Sequence, residues 1–261
     1  MGFFDDGRAL RAAFIACGLL ACGLPARSIA GPAGIPYGLK LMIDSSEPFG
    51  LSTEPVSGGG LRIKWDGVAR KLDDERVQLA LCDGDRENCV SEAALKLLAI
   101  VDAGRQRDGR ARLGEINRAI NLSIRAMDDF AQYGQADVWS SPLVTFAHGA
   151  GDCEDYAIAK YVALRMAGLA AEDLRIVVLV DFRGEGHAAA AARLDGHWLI
   201  LDNRRMAMIE DLNLLNYRPL FVINDSGVMK YDGRLMVSVP ETIPVAATAI
   251  NTQPARFATA N

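Results

Sequence analysis

The sequence predicts an α+β fold, with helices gathered first and then packed on an antiparallel sheet. Two observations carry this. Up to residue 167 the apolar residues recur at helical spacing. From Leu174 onward they fall in short runs separated by turn residues, as strands do. Helices and strands segregated along the chain, rather than alternating, point to an α+β arrangement. The chain has 261 residues, 50% hydrophobic and 23% charged, which excludes a disordered or collagen-like protein. That length suits one domain with a sizeable core. A formal net charge of −5 argues against nucleic acid as the main partner, because phosphate binding normally requires a basic excess.

Residues 1–30 have the pattern of a secretory signal. Arg8 and Arg11 precede an uncharged apolar run from Ala12 to Leu24, and Pro25 and Arg27 end it. The run would span about 20 Å as a helix at about 1.5 Å per residue, short of the roughly 20 residues a bilayer core requires. Small residues at Ser28 and Ala30 suit a signal peptidase cutting after Ala30. An alternative is a lipoprotein signal, with Leu19-Leu20-Ala21-Cys22 as the lipobox. Cleavage would remove three arginines and two aspartates, leave a net charge of −6, and take Cys17 and Cys22 with it. No later stretch is apolar enough to span a membrane, so the expected location is periplasmic or secreted.

Residues 31–64 are Pro- and Gly-rich, including Gly58-Gly59-Gly60, and read as an extended lead-in. The domain proper is expected over 65–240. Trp65, Val68, Ala69, Leu72 and Leu79 are spaced as a helix running to Leu81. Glu92 to Ala103 is a second helix, with Leu95, Leu98 and Ala99 on one side; Leu113, Ile116, Ile120 and Ile124 mark a third. Ser140-Ser141-Pro142 opens a short helix through Phe146. Asp152 to Ala167 is the next, closed by Gly168. Strands follow at Leu174–Val180, Ala188–Leu194 and His197–Leu201. The last two are joined by Asp195-Gly196, a strong hairpin signal. Leu220–Ile223 is a further strand, and residues 241–261 form a Thr-, Ala- and Pro-rich flexible tail.

Three cysteines remain after cleavage. Cys82 and Cys89 flank a polar turn between two helices, and in an oxidising compartment they are expected to form a disulfide. The odd thiol is Cys153, in Gly151-Asp152-Cys153-Glu154-Asp155-Tyr156. It opens a helix for which Asp152 is a plausible N-cap. The unsatisfied N–H groups and positive dipole end of a first turn favour the thiolate. The same N–H groups suit an oxyanion. Asp152, Glu154 and Asp155 oppose this by crowding negative charge around the thiol. A cation would neutralise them, and oxygen ligands suit Ca²⁺. A proton shuttle must come from His148, His187 or His197. Spacing alone leaves the choice open, although a rigid strand edge favours His187. Asp202 ends the strand expected beside that of His187, so Cys, His and Asp follow triad logic.

Gly-Asp-Cys-Glu-Asp-Tyr-Ala-Ile-Ala-Lys at 151–160 resembles the bacterial transglutaminase-like cysteine peptidases, which include the Lap-type periplasmic proteases that release large surface adhesins. The resemblance runs over about residues 65–223. It takes in Asp137-Val-Trp139-Ser-Ser-Pro142, His187 with its Ala-rich strand, and Leu201-Asp202-Asn203. It implies a papain-like or transglutaminase-like core. It also implies Cys153 as nucleophile, His187 as general base and acid, Asp202 as orienter, and Asp152 and Glu154 as calcium ligands. The implied partners are an exported or surface protein as substrate, an adhesin among them, and an inner-membrane regulatory receptor. Hydrolysis is the activity the resemblance favours. Transfer to an amine by the same triad, and an inactive binding module of the same fold, are the alternatives.

Overall fold

The computed structural model describes residues 42–43 and 46–238. The expected signal sequence, Cys22, the start of the expected lead-in and the expected tail at 241–261 lie outside the described residues. Met42–Ile43 (β1) opens the described chain, and Leu51–Pro55 (β2) follows a 3-10 turn at Pro48–Gly50. Three long helices come next: α1 (Gly60–Gly84), α2 (Glu92–Arg105) and α3 (Gly109–Ser123). Short elements then lead into the longest buried helix: β3 (Arg125–Ala126), α4 (Asp129–Tyr133), α5 (Pro142–His148), β4 (Ala150–Gly151) and α6 (Cys153–Met166). The remainder is strand: β5 (Leu174–Asp181), β6 (Gly186–Leu194), β7 (His197–Leu201), β8 (Ile209–Glu210), β9 (Tyr217–Asn224), β10 (Gly227–Leu235) and β11 (Val237–Ser238).

Seven strands form one antiparallel sheet in the order β2-β10-β9-β5-β6-β7-β8. The β6–β7 turn has Asp195 at φ 52° and Gly196 at φ 80°, the doubly positive backbone that matches the twist of a tight hairpin. Both faces of the sheet are covered. Leu174, Ile176, Ala188, Ala190 and Ala192 point to the helices. Val177, Leu179, Ala189 and Ala191 point to a second cluster with Phe49, Trp198 and Tyr231. This alternation follows from the two-residue period of a strand. The alanines of β6 present little bulk to α6, which therefore packs close against that strand.

From residue 46 onward, the lead-in expected at 31–64 joins the fold. Leu51–Pro55 pairs with β10 as an edge strand, and α1 begins at Gly60, ahead of the expected Trp65. An edge strand tolerates Pro55 because one side of its ladder faces solvent. Arg175 holds the approach to this strand, with Nε and Nη2 each 2.8 Å from the Glu47 carboxylate. The buried face of α2 is Ala94, Leu97, Leu98 and Val101, whereas Ala99 is exposed and Leu95 half-buried. The disulfide Cys82–Cys89 is present, closing the turn between α1 and α2.

Candidate active site

α6 places Cys153 at its first position. Gly149 ends α5 with φ 63°, and Ala150–Gly151 then pairs with Arg125–Ala126 in a short parallel ladder that fixes the approach to the helix. Cys153 Sγ accepts from Ala188 N at 3.4 Å and donates to Glu154 Oε2 at 3.1 Å. The thiol therefore lies against β6, one residue from His187. Asp152 occupies the N-cap position with extended backbone, but its side chain makes no cap hydrogen bond. Its carboxylate instead sits within a cluster of other carboxylates.

His187 lies at the start of β6 and is 3% exposed; Asp202 follows the end of β7 and is 2% exposed. The register pairs Ala190 with Leu201, which brings Asp202 toward the His187 end of β6. His187 Nε2 donates to Asp202 Oδ1 at 2.9 Å, and Arg204 N donates to the same oxygen at 2.9 Å. The carboxylate partner assigns the proton to Nε2, and Nδ1 makes no hydrogen bond. The Tyr217 ring packs beside the imidazole, with centroids 5.9 Å apart. His197 is exposed, at the other end of its strand. His148 is also exposed and bonds to Tyr133 Oη at 3.1 Å.

A cleft of about 580 Å³ is lined by Cys153 and His187 together with Asp129, Asp137, Asp152 and Glu154. Val178 and Phe221 add apolar wall from the sheet. Trp139 serves two purposes. It packs in the core at 9% exposure and also lines the cleft, with Nε1 donating to Asp137 Oδ1 at 3.0 Å.

The acids form two overlapping groups. Ligand atoms of Asp152, Cys153 and Glu154 lie within 4.8 Å of one another, and so do those of Asp129, Asp152 and Asp155. Asp129 is 3% exposed, Asp155 0% and Glu154 6%. Burial raises all of them, and neighbouring carboxylates add to the rise. Asp152 is pushed up to about 8, by burial first and then by Glu154, and Asp155 to about 7 by burial and then Asp152. Glu154 and Asp129 are raised as well, by burial first. Burial and the Glu154 charge together push the Cys153 thiol well above its usual range. One oxygen of each of Asp129, Asp152 and Asp155 (Oδ1, Oδ1 and Oδ2) is buried without a hydrogen-bond partner. Buried polar atoms are normally satisfied, so this oxygen-only set fits a hard cation.

The sequence profile of the bacterial transglutaminase-like cysteine proteinases (BTLCP) matches residues 78–225, more than half of the chain. The chain belongs to this family. The proteinase also resembles solved structures of Legionella pneumophila LapG. The EGTA-treated form is 19% identical, with 65% of this chain and 91% of that chain covered and a TM-score of 0.50. The calcium-bound form is 22% identical, with 53% and 78% covered and a TM-score of 0.47. At these identities the likeness is one of fold. No curated relative matches the sequence. Family membership makes this chain a cysteine peptidase with a transglutaminase-like fold.

In this proteinase Cys153, His187, Asp202, Asp152 and Glu154 all lie at one end of α6 and the adjoining strands. Sequence reasoning missed Asp129 as a member of the acid cluster. It sits in a short Asp128-Asp129 pair that reads as a helix start, and Asp128 does cap α4 by accepting from Ala131 N at 3.0 Å. Nothing in the local pattern links Asp129 to Asp152. Among the described residues no helix is long and apolar enough to cross a membrane.

Proposed function

We propose that this proteinase is exported after cleavage near Ala30 and hydrolyses a peptide bond in a secreted or surface protein, with Cys153, His187 and Asp202 as its triad. The observation that supports this best is the buried His187 Nε2–Asp202 bond, which leaves Nδ1 unpartnered in the cleft that Cys153 enters from a helix start. His187 Nδ1 takes the proton from Cys153 Sγ. The thiolate attacks the substrate carbonyl carbon and forms a thioester precursor whose oxyanion meets the first-turn N–H groups of α6. The imidazolium returns the proton to the leaving amine as the C–N bond breaks. Water, deprotonated by His187, then cleaves the thioester and frees Sγ. Asp202 holds the tautomer throughout.

Asp152 and Glu154, with Asp129 and Asp155 beside them, are the residues that would hold calcium. Hard oxygen donors are what that ion takes. Bound there, calcium supplies positive charge that offsets the carboxylates raising the thiol. A large surface adhesin is the first substrate to test, and an inner-membrane receptor the first candidate regulator. The test is incubation of the full chain with envelope proteins of its own cell, in calcium and in EGTA, with new N-termini read by mass spectrometry. Hydrolysis that needs calcium and Cys153 is the expected result. Cleavage undiminished in Cys153→Ala overturns the mechanism, and full activity in EGTA overturns the calcium assignment.

A further inference from the structure

Lys160 lies on α6 seven residues after Cys153. At 3.6 residues per turn this puts both on one stripe of the helix, about 10 Å apart along it. The stripe faces β6 and β7, and Lys160 is 0% exposed. Its Nζ donates to the main-chain oxygen of Leu201 at 3.1 Å, the residue immediately before Asp202. It also stands 5.8 Å from the centre of the Tyr156 ring. An ammonium group this deep is strongly disfavoured unless its charge is used, since a methionine would fill the same channel without desolvation.

The Asp202 carboxylate has few charges to balance it. From β6 it meets His187, and from its own loop the Arg204 N–H and the exposed Arg205, whose Nε pairs with Oδ2 at 3.9 Å. From α3, Asn121 Nδ2 holds the Asp202 main-chain oxygen at 3.1 Å. From α6, Lys160 is the group that faces it. Anchored at the residue before Asp202, Lys160 supplies positive charge from beneath the sheet.

We propose that Lys160 is a positioning residue of the peptidase site: anchored on Leu201, its ammonium keeps Asp202 ionised and aimed at His187. Burial drives Lys160 down to about 7 while Asp202 pulls it up. Its charge is therefore complete in the acid range where Asp202 takes up a proton. Burial pushes Asp202 up, but His187, the Arg204 N–H and Lys160 bring it below the usual aspartate value. Removing Lys160 leaves the burial effect less opposed, so Asp202 is protonated at a higher pH and the His187 bond is lost earlier on acidification.

This inference rests on Asp202 being the partner of His187 in the proposed triad. The chain has only three histidines, so ¹⁵N-histidine labelling of the full chain resolves the His187 Nε2–H signal directly. The experiment follows that signal against pH in the parent protein, Lys160→Met and Lys160→Gln, with Asp202→Asn as the reference. The expected result is loss of the signal at a pH about one unit higher in Lys160→Met than in the parent, with Tm maintained. An unchanged midpoint in folded Lys160→Met overturns the proposal. If Lys160→Met does not fold, Lys160→Gln, which keeps a donor without the charge, decides by the same midpoint. A separate turnover assay of Asp202→Asn tests the triad reading: full turnover there sinks the triad, whereas a silent Lys160→Met beside an impaired Asp202→Asn sinks only the role of Lys160.

Discussion

His187 Nε2 donates to Asp202 Oδ1 at 2.9 Å, and both side chains are all but closed to solvent. β6 supplies His187 and the residue just past β7 supplies Asp202, so the β6–β7 ladder brings the two together and the loop after β7 orients the carboxylate. Replacing Asp202 by Asn keeps the shape but exchanges an acceptor-only group for one that also donates. Turnover in Asp202→Asn is expected to fall about a thousand-fold or more, with Tm within a few degrees of the parent. A steady-state assay on any cleaved envelope protein checks this.

Stability without metal should fall as pH rises. Asp152 and Asp155, raised to about 8 and about 7, keep protons in the folded state that the unfolded chain releases near 4. The native state thus binds more protons between those limits, and unfolding becomes easier as pH rises through them. Tm in EGTA is expected to be lower at pH 8 than at pH 5. Calcium should raise Tm more at pH 8, where the carboxylates are ionised. A Tm in EGTA that rises steadily across this interval contradicts the assignment.

Gly151 is fixed by space rather than by backbone angle. A Cβ there would lie 2.5 Å from Asp155 Oδ2 and 2.8 Å from Asp155 Cβ. Gly151→Ala must displace Asp155 from the acid cluster and from Ser140 N, which donates to its Oδ1 at 2.9 Å. The expected cost is about 1–3 kcal/mol in stability, with calcium bound about tenfold more weakly. Chemical denaturation and calorimetric titration measure the two effects.

The Cys82–Cys89 disulfide closes a short turn and does not line the cleft. Cys82→Ser/Cys89→Ser should lower stability by about 2–3 kcal/mol through unfolded-state entropy and leave turnover of the folded fraction unchanged. Urea unfolding beside an activity assay separates the two.

The readable parts of the chain are those with strong local period or turn chemistry. Leu113, Ile116 and Ile120 mark α3, and Asp195-Gly196 marks the hairpin that sets His187 against Asp202. β2, at the edge of the sheet, and its partner β10 escape notice because their sequences lack a clean period. There Glu54, Pro55, Gly233 and Arg234 break the apolar alternation, and pairing alone defines the strands. Glu75 is a similar case. It reads as a solvated helix residue, yet it is buried, accepts from Leu143 N at 3.1 Å and from Ser141 Oγ, and so holds the start of α5. Asp129 joins Asp152 and Asp155 only through the tertiary fold. Lys160 did leave a trace, a charge on the buried stripe of α6, with Ala157, Tyr161 and Leu164 around it.

The most direct test of the central claim, that His187 activates Cys153, is the rate at which iodoacetamide alkylates Cys153 at neutral pH in calcium. Mass spectrometry of the Cys153 peptide reads it in the full chain and in His187→Ala. The rate is expected to be at least about tenfold lower in His187→Ala. Equal rates in the two folded proteins would contradict it.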